Sequence, residues 1–191
     1  MKLFYLAAGA ALAAAAIPAQ AQMRTDPAII AEQKAAIAKL DKLRGEWRGT
    51  ATITGPGGSL KLVQTERVGP MLDGTVMVVE GRGTDEAGKL VFNAFAVISY
   101  DAATDQYAMN SWTDGRSGKF PFAVTDKGFD WSVPLPNGAT IQYSATLADG
   151  KWVETGSYVG QGMPPVEFAK LDVQRVGDTD WPGAGFVPPA P

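Results

Sequence analysis

The chain has 191 residues, with 17 Lys and Arg against 20 Asp and Glu, for a formal net charge of −3. It contains no Cys and no His. Those two absences exclude a disulfide framework, a thiolate metal site, a Cys nucleophile, a lipid-modified N-terminal Cys, a His-based serine triad and a His-ligated zinc or haem site. No basic run marks a nucleic-acid or anionic-membrane footprint, so no nucleic-acid partner is expected.

Residues 1–21 begin with Lys2, continue through the apolar run "LFYLAAGAALAAAAIP" and end in "AQA", with small residues at Ala19 and Ala21. A charged start, an apolar middle and a small-residue cleavage site predict a secretory signal peptide cut after Ala21. The run is short and Ala-rich, and Pro18 ends it, which argues against a membrane anchor. No later segment approaches the ~20 apolar residues of a spanning helix. The expected mature protein starts at Gln22, has no transmembrane segment and is periplasmic, with secretion as the alternative. Lacking Cys, it must be held together by its core alone.

Residues 22–46 read as a helix with a lead-in. Thr25 or Asp26 can cap it, and Pro27 suits the first helical position. Ile29, Ile30, Gln33, Ile37, Leu40 and Leu43 form a stripe near helical spacing, and Gly45 provides the stop after Lys42 and Arg44. The amphipathic helix is expected to pack on or plug the rest of the fold.

From 47 to 176 the helical period disappears. Alternating runs are punctuated by "TGPGGS", "GPMLDG", "GTDEAGK", "YDAATDQ", "TDGRSG", "TDKG", "PLPNGA", "ADGK" and "GQGMPP", which predicts ten strands in an antiparallel meander. These stretches read as turns: the Gly-rich ones lack the Lys-Ser/Thr of a phosphate loop, and the acidic ones lack calcium-loop spacing. The tail 177–191 is Pro- and Gly-rich and is expected to be extended, with Trp181 and Phe186 able to dock locally.

Folding each hairpin about its turn assigns the faces. Trp47, Gly49, Ala51 and Ile53 share one face with Leu60, Leu62, Gln64 and Glu66. That face then takes Val76, Val78, Glu80 and Arg82 from the third strand, and Leu90, Phe92, Ala94, Ala96 and Ile98 from the fourth. Further round it collects Tyr107, Met109, Ser111, Phe120, Phe122, Val124, Phe129, Trp131, Tyr143, Trp152, Glu154, Gly156 and Tyr158. The opposite face carries Arg48, Thr50, Thr52, Lys61, Thr65, Arg67, Asn110, Lys119, Asp130 and Ser132. One apolar and aromatic face backed by a polar one predicts an all-β fold: a single meander closed into a roughly ten-stranded barrel, with one N-terminal helix. In the last strand, Val166 and Phe168 favour one phase while Leu171 and Val173 favour the other, which predicts a bulge.

Within "LRGEWRGTATI", Gly45 turns the chain out of the helix and Trp47 plugs the barrel end beneath it. Gly49 leaves room for the indole or for a crossing chain. A Gly-x-Trp opening the first strand of a meander resembles the calycin superfamily of lipocalins and fatty-acid-binding proteins. The ordered series "GEWRG", "QTERV", "VEGRG", "VISYD" and "TDKGFDW" resembles more closely a bacterial lipocalin-like family of uncharacterised domains, over about residues 41–176. That resemblance implies a ten-stranded barrel and supplies no established activity. Nitrobindins, a related haem-binding group, share the Gly-x-Trp-x-Gly opening but hold iron through a His. This chain has none, so haem is not carried over and no cofactor is expected. Tyr158 and Met109 are conceivable iron ligands, but neither sits in a ligand motif.

The polar residues assigned inward are Gln64, Glu66, Glu80, Arg82, Ser111 and Glu154. Gln64 falls opposite Glu80, and Arg82 is the natural partner for the carboxylates. They form either an internal hydrogen-bond network or a polar anchor in an aromatic cavity. The candidate cavity lining is Trp47, Gln64, Glu66, Glu80, Arg82, Phe92, Met109, Phe122, Trp131, Tyr143 and Tyr158. No catalytic residue and no metal ligand is assigned. The favoured reading is a non-catalytic exported protein that binds a small, largely apolar ligand in its barrel. One alternative is a filled barrel acting through its outer surface in the envelope. Another is a carboxylate enzyme using Glu66, Glu80 and Arg82, which a strongly raised carboxylate pKa beside an open cavity would favour.

Overall fold

The structure is a computed structural model and describes residues 26–181. The expected signal peptide, Thr25 and Phe186 lie outside the described residues. Helix α1 spans Pro27–Ala38 and is capped by Asp26, whose carboxylate accepts from the Ala28 amide at 2.9 Å while Pro27 holds the first turn. The helix stops earlier than its apolar stripe predicts. Its last bonds tighten, from Lys39 N to Ala36 O and from Leu40 N to Ile37 O, and a short 3-10 turn over Asp41–Leu43 follows. Ile37, Leu40 and Leu43 are buried as their spacing requires, whereas Ile29 stays exposed.

Ten strands follow: β1 (Gly45–Gly55), β2 (Gly58–Met71), β3 (Val76–Thr84), β4 (Leu90–Asp101), β5 (Gln106–Thr113), β6 (Arg116–Val124), β7 (Gly128–Pro134), β8 (Thr140–Ala148), β9 (Lys151–Val159) and β10 (Val166–Gly177). Each pairs antiparallel with the next, and β10 pairs with β1, so the barrel is closed and leaves no edge.

The opening motif works at both ends of its short span. Gly45 takes φ +132°, which an L side chain rarely adopts, as the chain enters β1. Trp47 is buried and donates its indole N–H to the Leu43 carbonyl at 2.9 Å, which ties the 3-10 turn to the barrel. Gly49 serves the crossing chain: a Cβ there would lie 2.1 Å from the Asp172 carbonyl oxygen of β10. Around these residues Ile37, Leu40, Leu43, Val68, Met77, Ile98 and Val173 close one end of the barrel as a packed core. Tyr107 bonds the Ala36 carbonyl at 2.8 Å and Gln33 bonds the Tyr100 carbonyl at 3.3 Å, which fixes α1 over that end.

Strand β3 departs from the expected register. The loop Leu72–Thr75 joins Met71 directly to its partner Val76, so Glu66 faces Gly81 and Gln64 faces Gly83. Leu72 and Asp73 both hold positive φ there, with Gly74 following. Met77, Val79, Gly81 and Gly83 therefore turn inward. Glu80 and Arg82, expected inside, lie on the outer face and approach each other at 3.9 Å. A one-residue difference in loop length moves every side chain of a strand to the other face. Leu90 is also outward and exposed, because the ladder shifts between Gly83 and Thr84. From Phe92 onward the expected inward phase holds, and the anticipated irregularity in β10 falls between Glu167 and Ala169. Past β10 the tail folds back on β2: Trp181 lies against Gly69, with the Arg67 guanidinium 5.7 Å from its ring.

Candidate functional site: a cavity in the hollow half of the barrel

Above the packed end the inward positions become small: Gly81 and Gly83 on β3, Ala94 and Ala96 on β4, Ser111 on β5, Gly156 on β9 and Ala169 on β10. A ten-stranded barrel is wider than its side chains can fill when one half is built this way. The result is a cavity of about 320 Å³. Leu43, Ile98, Phe122, Phe129 and Trp152 form its floor. Leu62, Phe92, Met109, Trp131, Tyr143, Phe168 and Leu171 are among its walls. Trp131 and Tyr143, paired across β7 and β8, stack with ring centroids 3.9 Å apart and planes 4° apart, and Phe168 meets Tyr143 at a steep angle.

Two carboxyl groups and one amide, those of Glu66, Glu154 and Gln64, stand out in this mostly apolar lining. Glu66 and Gln64 lie across the backbone of β3, in the space its two glycines leave. A Cβ on Gly81 would sit 2.7 Å from Glu66 Oε2, and one on Gly83 would sit 2.8 Å from Gln64 Oε1. Gln64 Nε2 donates to Glu66 Oε1 at 2.8 Å. Glu154 accepts from two indoles, Trp131 Nε1 on Oε1 at 3.0 Å and Trp152 Nε1 on Oε2 at 3.2 Å. Gln64 Oε1 is buried and has no hydrogen-bond donor among the described residues.

Burial sets the electrostatics. Desolvation pushes the Glu66 carboxyl up to about 8; the Gln64 amide opposes this, while the negative fields of Glu154 and Glu80 add to it. Glu154 is raised to about 7, again chiefly by desolvation, against the pull of its two indole N–H groups. Tyr143 is raised by burial and by Glu154. Near neutral pH this cluster holds a carboxylic acid next to a carboxyl group poised to titrate.

Of the residues read from sequence as cavity lining, seven meet there: Gln64, Glu66, Phe92, Met109, Phe122, Trp131 and Tyr143. Trp47 lies in the packed end, edge-on to Trp152. Tyr158 keeps the inward phase but lies outside the cavity, where its hydroxyl accepts from Asn137 Nδ2 at 3.2 Å. Glu80 and Arg82 are outside the barrel. Glu154, one of the polar residues assigned inward, also lines the cavity, as do Phe129 and Trp152, which had the right face but were not in the candidate lining; Phe168 was hidden by the ambiguous phase of its strand. The two glycines at alternate positions in "VEGRG" were the available sign that side chains cross β3 closely.

No protein-family model matches the chain, and no curated protein matches it. Among solved structures, Rv2717c from M. tuberculosis is similar, with a TM-score of 0.55 and 11% sequence identity over 74% of this chain and 97% of that one. This likeness concerns the fold alone.

Proposed function

We propose that the protein is a non-catalytic, exported, lipocalin-like carrier or sensor that holds a small, largely apolar ligand inside its barrel. The observation that carries this reading is the cavity: about 320 Å³, walled by aromatic and aliphatic side chains, with its polar groups gathered at Gln64, Glu66 and Glu154. Ligand sites are commonly apolar concavities of about 300–1,000 Å³ with a few convergent polar groups that fix orientation. A hollow barrel also speaks against the filled-barrel alternative. Export is inferred from residues 1–21 alone, and is tested by finding the mature chain in the periplasm with Gln22 at its N-terminus.

Native mass spectrometry of protein purified from the periplasm, repeated after denaturation, tests the binding reading. The expected result is a defined extra mass that disappears on denaturation. A clean protein mass, together with no saturable uptake of apolar probes, overturns it.

The raised carboxyls favour a second reading, acid–base chemistry with Glu66 as acid and Glu154 as base. With Glu80 and Arg82 outside, this pair replaces the set expected from sequence. Glu154 is, however, already held by two indole N–H groups, and among the described residues neither carboxyl is hydrogen-bonded to a hydroxyl of the cavity. Binding therefore remains the better-supported reading. Turnover of the recovered ligand that is lost on Glu66→Gln would reverse the order.

A further inference from the structure

The polar cluster of the cavity is unusual in what it lacks, and the following rests on the ligand-binding reading. Gln64 is only 2% exposed, yet among the described residues its Oε1 has no donor, and its one side-chain bond is spent on Glu66. A buried acceptor without a donor is costly, so the site is built to receive one. Glu66 Oε2 lies over Gly81 and takes part in no hydrogen bond among the described residues. Glu154 lines the same cavity and adds a second carboxyl group. Among the described residues the one cation at the cavity is Lys170, which is exposed and paired with Thr52 on the outer face of the barrel. Two carboxyl groups without an inward cation, beside an orphan carbonyl oxygen, call for positive charge carried on N–H donors. The stacked Trp131–Tyr143 wall provides π surface that favours a cation and packs an apolar body.

We infer that the head group selected by this cavity is a protonated amine: an amphipathic organic cation donates N–H to Gln64 Oε1 and Glu66, with its apolar body against Trp131 and Tyr143. Fatty acids, whose carboxylate would meet two acidic groups and an unpaired acceptor, are disfavoured. The groups that face the ammonium are Glu66, Glu154 and Tyr143 from within, with Glu80 contributing from the outer face of β3. Binding an ammonium beside a largely protonated Glu66 expels that proton to the buffer, leaving an ammonium–carboxylate pair.

Isothermal titration calorimetry with decylamine, decanol and decanoic acid at pH 7, in buffers of different ionisation enthalpy, tests the inference. The amine is expected to bind at least about tenfold more tightly than the alcohol, with the acid weakest and with proton release for the amine alone. Glu66→Gln should bring the amine most of the way down to the alcohol and leave only the proton release that Glu154 supplies. Glu154→Gln, which can still accept an indole N–H, should weaken the amine without abolishing its preference. Alcohol or acid binding as tight as amine binding overturns the cationic head group and leaves the carrier reading intact. No saturable binding of any of the three overturns both.

Discussion

The two halves of this barrel follow one rule of alternation and reach opposite outcomes. At the helix end the inward positions are Trp47, Val68, Met77, Ile98 and Val173, and with Ile37, Leu40 and Leu43 they fill the interior. In the other half the same strands place Gly81, Gly83, Ala94, Ser111 and Gly156 inward, and the interior stays hollow. The hollow half also holds both buried carboxyl groups. Side-chain size at alternate positions, with no change in topology, separates a structural plug from a binding chamber. The plug supplies stability that lets the chamber tolerate buried polar groups.

Matched truncations put that contrast to its strongest test. Trp47→Ala removes a fully packed indole and its bond to Leu43, and should cost about 3–5 kcal/mol of unfolding free energy. Trp131→Ala removes an indole that already faces open space, and should cost about half as much, since less new void is created. Urea unfolding of both variants decides this, and equal losses would break the distinction between the halves. Gly49→Ala comes next. Its new Cβ would press on the Asp172 carbonyl and Val173 Cα, both backbone atoms, so β1 and β10 must part, at a cost of about 1–3 kcal/mol. A neutral result in the same urea experiment would show that the seam between β1 and β10 is looser than drawn.

Most of the barrel was legible because turn chemistry and two-residue alternation act locally. Nine turn signals mark ten strands, and from Phe92 to Tyr158 the expected inward phase is the one observed. What could not be read was set by loop geometry. The Leu72–Thr75 loop, with its consecutive positive-φ residues, decides the face of β3, and no apolar pattern arbitrates between Val76/Val78 and Met77/Val79. The charges of Glu80 and Arg82, together with the glycines between and after them, favoured the outward answer, since buried charge is costly and an inward Gly leaves room. Of the four candidates Gln64, Glu66, Glu80 and Arg82, the first two survive for a related reason. Gln64 and Glu66 sit on β2, whose register with β1 is set by a tight hairpin, whereas their supposed partners sat beyond the irregular loop.

The chamber, unlike the plug, should make stability depend on pH. Glu66 binds its proton more tightly in the folded barrel, where its value is about 8, than in the unfolded chain, at its ordinary 4.5. Between those values the folded state carries the extra proton, so stability is greatest below 4.5, falls as pH rises towards 8, and levels off above it. Glu154 adds a slope of the same sign that ends near 7. Glu66→Gln removes the Glu66 contribution. In urea titrations it should match the wild type near pH 4, exceed it by more than about 1 kcal/mol at pH 9, and leave only the Glu154 slope between. Parallel profiles for the two proteins would mean that Glu66 is solvated in the folded state and the chamber is wet.

The smallest effect tests how closely the glycines and the carboxyl are matched. Gly81→Ala puts a methyl group 2.7 Å from Glu66 Oε2, but that oxygen is the end of a flexible side chain and can move. The cost should therefore be about 1 kcal/mol, below that of Gly49→Ala, where backbone is struck. The displaced carboxyl also loses alignment with Gln64 Nε2, so the two positions should couple. In a Glu66→Ala background the Gly81→Ala penalty should disappear, giving a coupling of about 0.5–1 kcal/mol by double-mutant cycle. If the penalty is the same in both backgrounds, the glycine serves the β3 backbone itself. The cradle over which Glu66 lies would then be incidental to the hollow half.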